Sequence, residues 1–207
     1  MRIAILGAGS VGRALAQRFA AGKHSVVFGV RDPLATKHHD AKALGEFMKN
    51  AAAVAAAEVV VVALPWAETE AALKALGSAL DGKVIADATN PIRADFSGLE
   101  FGQDDSAGER VQRLLPKAKV VKAFNTTGAA NLTDPEYPQG RVTMLLAGDD
   151  AAALATVGAL AAEAGFEPLA VGPLKLARQL EQLAWLWIHL AYKAGLGPDF
   201  ALRLEKR

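Results

Sequence analysis

The chain has 207 residues, 52% apolar and 22% charged, with a formal net charge of +1 and no cysteine. That length and apolar content support one sizeable core and exclude a disordered chain. Near-neutral charge without a basic stripe argues against a nucleic-acid partner, and the missing cysteines rule out disulfides, thiolate nucleophiles and sulfur metal sites.

The first element is a strand, Arg2-Ile3-Ala4-Ile5-Leu6, and it feeds the turn Gly7-Ala8-Gly9-Ser10-Val11-Gly12. A helical pattern starts near Ser10 and stops at Gly22. Strand, glycine turn and helix in that order form a dinucleotide-binding fingerprint. Gly7 permits the tight turn, Gly9 clears the backbone for a pyrophosphate, and Gly12 lets the helix lie close to the strand. The helix start aims unpaired N–H groups and a positive dipole end at the phosphates. Residues 25–29 read as the second strand, which runs on into Val30 and Arg31. An NAD-selecting strand ends in an acid about 20 residues after the fingerprint, to accept from the ribose 2′-hydroxyl. Here Arg31 stands at that distance, and a guanidinium fork suits a 2′-phosphate. Lys37, followed by His38 and His39, adds positive charge. NADP is therefore expected over NAD. The residue after Arg31, Asp32, is acidic, but Pro33 follows it, and the alternative is that it caps the coming helix.

Residues 34–50 read as a helix with a short strand near Phe47, and 51–57 as a compact helix. The valine-rich run 59–64 suits a strand covered on both faces, and Pro65 ends it. A helix over 68–80 and a strand over 83–86 follow, then a loop from Asp87 to Pro91 and a long surface loop over 92–105. Next come a helix over 106–115 capped by Ser106, strands over 119–123 and 142–147, a helix from Asp149 and Asp150 to Ala164, and a last strand over 166–171. The alternation predicts an α/β fold with a doubly wound, mostly parallel sheet. The reading gives one domain over 1–207, with 172–207 as a C-terminal helical extension. In that extension Leu176, Leu180, Leu183, Trp187 and Leu190 line one helical face, and Trp185, Ile188 and Tyr192 form a second. A helix apolar on nearly all sides is buried in more than one direction. One face is expected to meet a second copy in a homodimer, with purely intramolecular packing as the alternative. No apolar run reaches membrane-spanning length and the N-terminus enters a strand without a leader, so a cytoplasmic protein without a membrane partner is expected.

Ligands of open α/β sheets bind beyond the carboxyl ends of the strands. The 7–12 turn should meet three other segments there. Ala63-Leu64-Pro65-Trp66 offers apolar surface for the nicotinamide ribose and ring. Asn90 with Pro91, and Ala123 with Asn125, bring amides that can bond a carboxamide or an acceptor carbonyl. The alternative for Asn90 and Asn125 is that they tie loops together. Asp87 is the one ionisable residue in these strand-end segments, and a loop-bracing role suits it equally. No catalytic side chain is assigned, because hydride passing between two flat rings needs position rather than an acid or base. The four histidines show no metal spacing, and no Gly-x-Ser-x-Gly is present.

In order and spacing these segments resemble the NADPH:coenzyme F420 oxidoreductase family and its relatives that bind NADPH beside a flavin. The resemblance rests on the 7–12 turn, Gly29-Val30-Arg31, Ala63-Leu64-Pro65-Trp66, Asp87-Ala88-Thr89-Asn90-Pro91, Val121-Lys122-Ala123-Phe124-Asn125-Thr126 and the Trp-rich C-terminal helix. It implies a single Rossmann-type domain, commonly paired as a homodimer. It also implies hydride transfer between NADPH and a small-molecule acceptor, either the deazaflavin F420 or a flavin such as FMN or FAD, with geometry carrying the reaction. Two positions depart from the family pattern. Asn125 stands where F420-using members can carry histidine. Val30 stands where a serine often helps hold the 2′-phosphate, a loss of about 1 kcal/mol. Arg93, Arg110, Lys122 and Arg178 are candidate linings for an acidic acceptor tail. Two other readings remain open: a non-catalytic NADPH-binding sensor or partner subunit, and a small imine or 3-hydroxyacid reductase. The latter class adds a long helical substrate domain, for which only 174–207 remain.

Overall fold

In β1 (Arg2–Leu6) every side chain from Ile3 onward is buried, which requires cover on both faces and places the strand inside the sheet. The computed structural model describes residues 1–205 and 207. After β1 come α1 (Ser10–Ala21), β2 (Ser25–Val30), a 3₁₀ segment (Thr36–Leu44), β3 (Glu46–Lys49), α2 (Asn50–Ala56) and β4 (Val59–Val62). The second half holds α3 (Trp66–Leu76), β5 (Val84–Asp87), α4 (Ala107–Leu114), β6 (Lys119–Lys122), α5 (Ala129–Thr133), β7 (Thr143–Gly148), α6 (Ala151–Glu163), β8 (Glu167–Gly172) and α7 (Ala177–Tyr192).

The eight strands lie in the order β3-β2-β1-β4-β5-β6-β7-β8. The first six are parallel in the doubly wound order, and strand order reverses between β1 and β4. This is a Rossmann-type sheet, as the alternation of elements predicts. One core layer holds Phe19, Phe28, Phe124 and Phe166; the other holds Leu73, Leu80, Val111 and Trp66.

Three departures from the sequence reading have local causes. The strand near Phe47 is present as β3, but the residues before it form a 3₁₀ segment in place of the expected helix, because that polar run buries only His38 and Ala41 and offers no helical face to the core. The helix expected over 68–80 begins at Trp66, stops at Gly77 with φ +49°, and continues only as a short 3₁₀ turn. The third departure is β7, which runs antiparallel to β6. The unforeseen α5 has five residues and spans about 7.5 Å. Only the last residues of β7 meet β6, Gly148 beside Val121 and Ala147 beside Lys122, so β7 runs back toward the sheet from beyond the carboxyl end of β6. β8 then pairs parallel with β7.

The inward face of α7 buries Leu180, Glu181, Ala184 and Trp187. The tail beyond it folds back over Trp187. The carbonyl of Phe200 accepts from Trp187 Nε1 at 3.0 Å and from Asn131 Nδ2 at 2.7 Å, and the two rings stack at 5.2 Å. Part of the apolar surface of α7 is thus covered by its own chain. Among the described residues no helix is long and apolar enough to cross a membrane, and no group of His, Cys, Asp or Glu could hold a metal ion.

Candidate functional site

The glycine turn is built by close backbone approach. Gly7 has φ +105°, and a Cβ there would lie 2.5 Å from the Ala63 carbonyl oxygen. Its N–H donates to the Gly29 carbonyl at 3.1 Å, while Ala63 N–H donates to Leu6 at 2.9 Å. The ends of β1, β2 and β4 are therefore laced together beneath the turn. A Cβ on Gly12 would lie 2.3 Å from the Gly7 carbonyl oxygen, so glycine lets α1 rest on its own strand. Gly9 differs from both, with open space where its Cβ would be. It is the N-cap of α1, no side chain caps the helix, and no acid stands in the first turn. The N–H groups at that helix start are left for an anion.

A cleft of about 1000 Å³ opens at this point. Gly7, Ala8 and Gly9 line it, with Val30, Arg31 and Lys37 on one side and Ala63, Leu64 and Pro65 on the other. The carbonyl of Arg31 is held by Lys49 Nζ at 2.6 Å. Its side chain is 84% exposed and reaches Glu68 of α3 at 3.1 Å. Lys37 is exposed on the same rim, whereas Val30 is buried in the core. Arg13 is a residue of the site that sequence reasoning misses. Its Nε donates to the Ala8 carbonyl at 2.9 Å, its Nη2 donates to the Lys37 carbonyl at 2.8 Å, and it pairs with Asp40. It ties the glycine turn to the 3₁₀ segment. The only local signal is an arginine directly after Gly12; its partners are tertiary.

Trp66 departs from its expected place. Its ring is buried away from the cleft, Nε1 donates to Glu100 at 3.0 Å, and Phe101 meets it edge-on. Pro65 caps the start of α3, and the first helical residue turns into the lower core layer. Trp66 thus pins the 92–105 loop, and the apolar cleft wall is left to Ala63, Leu64 and Pro65. Arg110 covers the other side of Phe101 at 3.8 Å.

The second group of residues converges at the ends of β5 and β6. Asn90 Nδ2 donates to the Asn125 carbonyl at 2.9 Å. Asn125 Nδ2 donates to Asn90 Oδ1 at 3.0 Å and to the Leu180 carbonyl at 3.2 Å. The loop-tying alternative therefore describes the donors of this pair. Asn125 Oδ1 is buried with no partner. A flip of that amide would face its oxygen against two other acceptors, so the orientation is set by the surroundings. Pro91 and Ala123 are buried beside them, and Ala123 N–H donates to the Asp87 carbonyl at 3.0 Å. Between Ala123 and Asn125, Phe124 takes φ +61° with its ring fully inside the core. A bulky residue in the left-handed region is a strained placement. It turns the chain so that Asn125 faces Asn90.

Beneath these loops lies a buried ionic triad. Lys122 Nζ meets Asp87 Oδ2 at 3.0 Å and Glu181 Oε1 at 2.8 Å, and donates to the Thr89 carbonyl. Asp87 Oδ1 accepts from Thr89 N–H and hydroxyl, and Glu181 accepts from the first N–H groups of α4 at Ala107 and Gly108. Burial works against the Lys122 charge, but the two carboxylates outweigh it and hold the ammonium above its ordinary range. Burial pushes the Glu181 carboxyl up, against the pull of Lys122. Asp87 is therefore a brace. Of the four cations considered for an acidic acceptor tail, three are engaged elsewhere: Lys122 in the triad, Arg110 with Asp105, and Arg178 with Glu109.

The family model described as "NADP oxidoreductase coenzyme F420-dependent" matches residues 2–91. Rat metalloreductase STEAP3 is 34% identical over 182 residues, which is 88% of this chain but 36% of that protein, so the chain spans about a third of its length. A solved structure from Arthrobacter sp. FB24, provisionally ascribed to the F420-dependent NADP reductases, superposes with a TM-score of 0.89 at 35% identity over the whole of both chains. The F420-dependent NADP reductase of Methanothermobacter marburgensis is 32% identical over 212 residues, covering 93% of each sequence. A relationship that runs through turn, strand order and C-terminal helix alike, from one end of the sequence to the other, makes this chain a member of the F420-dependent NADP reductase family.

Proposed function

We propose that the protein passes hydride between NADPH and an F420 or flavin acceptor, by holding two rings face to face without a catalytic side chain. The observation that carries this reading is the uncapped start of α1, which faces a large cleft through the open space at Gly9. The backbone of Gly7, Ala8, Gly9, Ser10, Val11 and Gly12 would hold the pyrophosphate. Arg31 and Lys37, at the end of the strand closed by Val30, would hold the 2′-phosphate. Ala63, Leu64 and Pro65 would border the nicotinamide ribose. Asn90, Pro91, Ala123 and Asn125 would meet the carboxamide, where the unpartnered Asn125 Oδ1 needs a donor. When bound, NADPH supplies the hydride and the acceptor ring takes it. The work of these residues is to orient and to exclude water. Stopped-flow absorbance at 340 nm tests the reading with F420, FMN, FAD and riboflavin in turn. Prompt NADPH oxidation with one of them is expected. Tight NADPH binding with no turnover in any case would identify a sensor or partner subunit instead.

We further propose a cytoplasmic homodimer joined through the outward face of α7. Leu186 on that face is 52% exposed, and Tyr192 at its end is 68% exposed. Exposed apolar side chains grouped on one helix suit an interface. Sedimentation equilibrium should report two chains per particle; the mass of a single chain at micromolar concentration would remove the pairing.

A further inference from the structure

We propose that Glu68 sets the cofactor preference of the cleft by competing with a 2′-phosphate for the Arg31 guanidinium. The inference rests on the reading of the cleft as an NADP site and deepens it. The backbone of Arg31 is anchored, since Lys49 Nζ holds its carbonyl at 2.6 Å. Its side chain stretches along the mouth of the cleft, and Nη2 meets Glu68 Oε2 at 3.1 Å. Glu68 is 48% exposed and lines the same cleft as Arg31. It stands in the first turn of α3, where the helix dipole favours negative charge. The carboxylate thus lies where the group that is to select NADP makes its contact.

The chemistry decides the direction of the effect. A guanidinium fork binds a phosphate best through two parallel N–H groups. With one of its terminal nitrogens on Glu68, Arg31 must give up that contact or accept the phosphate on a poorer edge. A phosphate brought alongside also meets the like charge of Glu68. NAD has only a neutral 2′-hydroxyl, which does not compete with Glu68 for the guanidinium. Glu68 therefore opposes NADP and leaves NAD alone. An ion pair this exposed is weak, so its removal should tighten the phosphorylated ligand by about fivefold.

The test is calorimetry on the full chain with adenosine 2′,5′-bisphosphate and with ADP. Glu68→Gln should tighten the bisphosphate by about fivefold and change ADP by less than about twofold. The same substitution in an Arg31→Ala background should give a gain of less than about twofold, because most of the competition runs through Arg31. Unchanged or weaker bisphosphate binding in Glu68→Gln would overturn the proposal and make Glu68 a support for Arg31. A gain of the same size without Arg31 would overturn it too, leaving simple repulsion. If the wild-type chain binds neither the bisphosphate nor NADP, the cofactor reading of the cleft itself is wrong, which is a separate result.

Discussion

Gly9→Val should remove nucleotide binding and leave the fold standing, whereas Gly12→Val should strongly destabilise the fold itself. Both residues belong to one six-residue turn, and the structure separates their roles. Nothing lies within 4 Å of a Cβ at Gly9, and its φ of −77° is open to any residue. A valine there fits the free protein and loses only part of the N-cap preference, about 1 kcal/mol. For a chain of this size that lowers the melting temperature by roughly 2–4 °C. The isopropyl group would occupy the space through which an anion reaches the start of α1. Losing two charge-assisted backbone hydrogen bonds at 1.5–3 kcal/mol each weakens binding by roughly 100-fold or more. Gly12 is the opposite case, because its Cβ would sit 2.3 Å from the Gly7 carbonyl oxygen. That oxygen is backbone and cannot swing aside, so α1 must lift off β1 at a cost of about 3 kcal/mol or more. Thermal melts and NADP titrations of the two variants decide the matter. Undiminished NADP affinity in Gly9→Val would show that the pyrophosphate does not lie at this turn.

Lys122→Met is the second large effect, an expected loss of about 3–5 kcal/mol. Removing the ammonium leaves Asp87 and Glu181 buried against each other without a counter-charge. The deficit should depend on pH, and its sign follows from Glu181. Burial already raises that carboxyl with Lys122 present, and losing the cation raises it further. A group whose folded pKa is raised stabilises the fold fully below its unfolded value, and that contribution fades as pH rises through the folded one. The gap between variant and wild type should therefore shrink from about pH 7 to about pH 4. Adding Asp87→Asn and Glu181→Gln should restore much of the loss at neutral pH, since the buried charges then disappear together. Urea melts at the two pH values test this. A gap of equal size at both would show that the loss comes from packing around the lysine stem.

The parts legible in the sequence are those encoded over a few residues. The glycine turn shows in the spacing of Gly7, Gly9 and Gly12, the strands in short apolar runs, and the α4 cap in Ser106, whose hydroxyl accepts from Glu109 N–H as expected. Arg31 could be placed at the cleft by counting along β2, because strand geometry fixes where the residue just past its end emerges. Trp66 could not, because its direction depends on how α3 leaves Pro65, and one residue along a helix turns a side chain by about 100°.

Hydrophobic period and turn chemistry act between near neighbours, so the amino-acid order alone settles the α/β alternation and the backbone cradle of the 7–12 turn. Charge partners do not follow such a period. Lys122 reads as a candidate lining for an acidic acceptor tail until β6 carries it beneath α7, and Arg31 reads as free until α3 brings Glu68 across the cleft. The left-handed turn at Phe124 and the reversal of β7 belong to the same class. Each arises where segments distant in the chain meet, and the free energy that selects them is a property of the assembled surfaces rather than of any stretch within them.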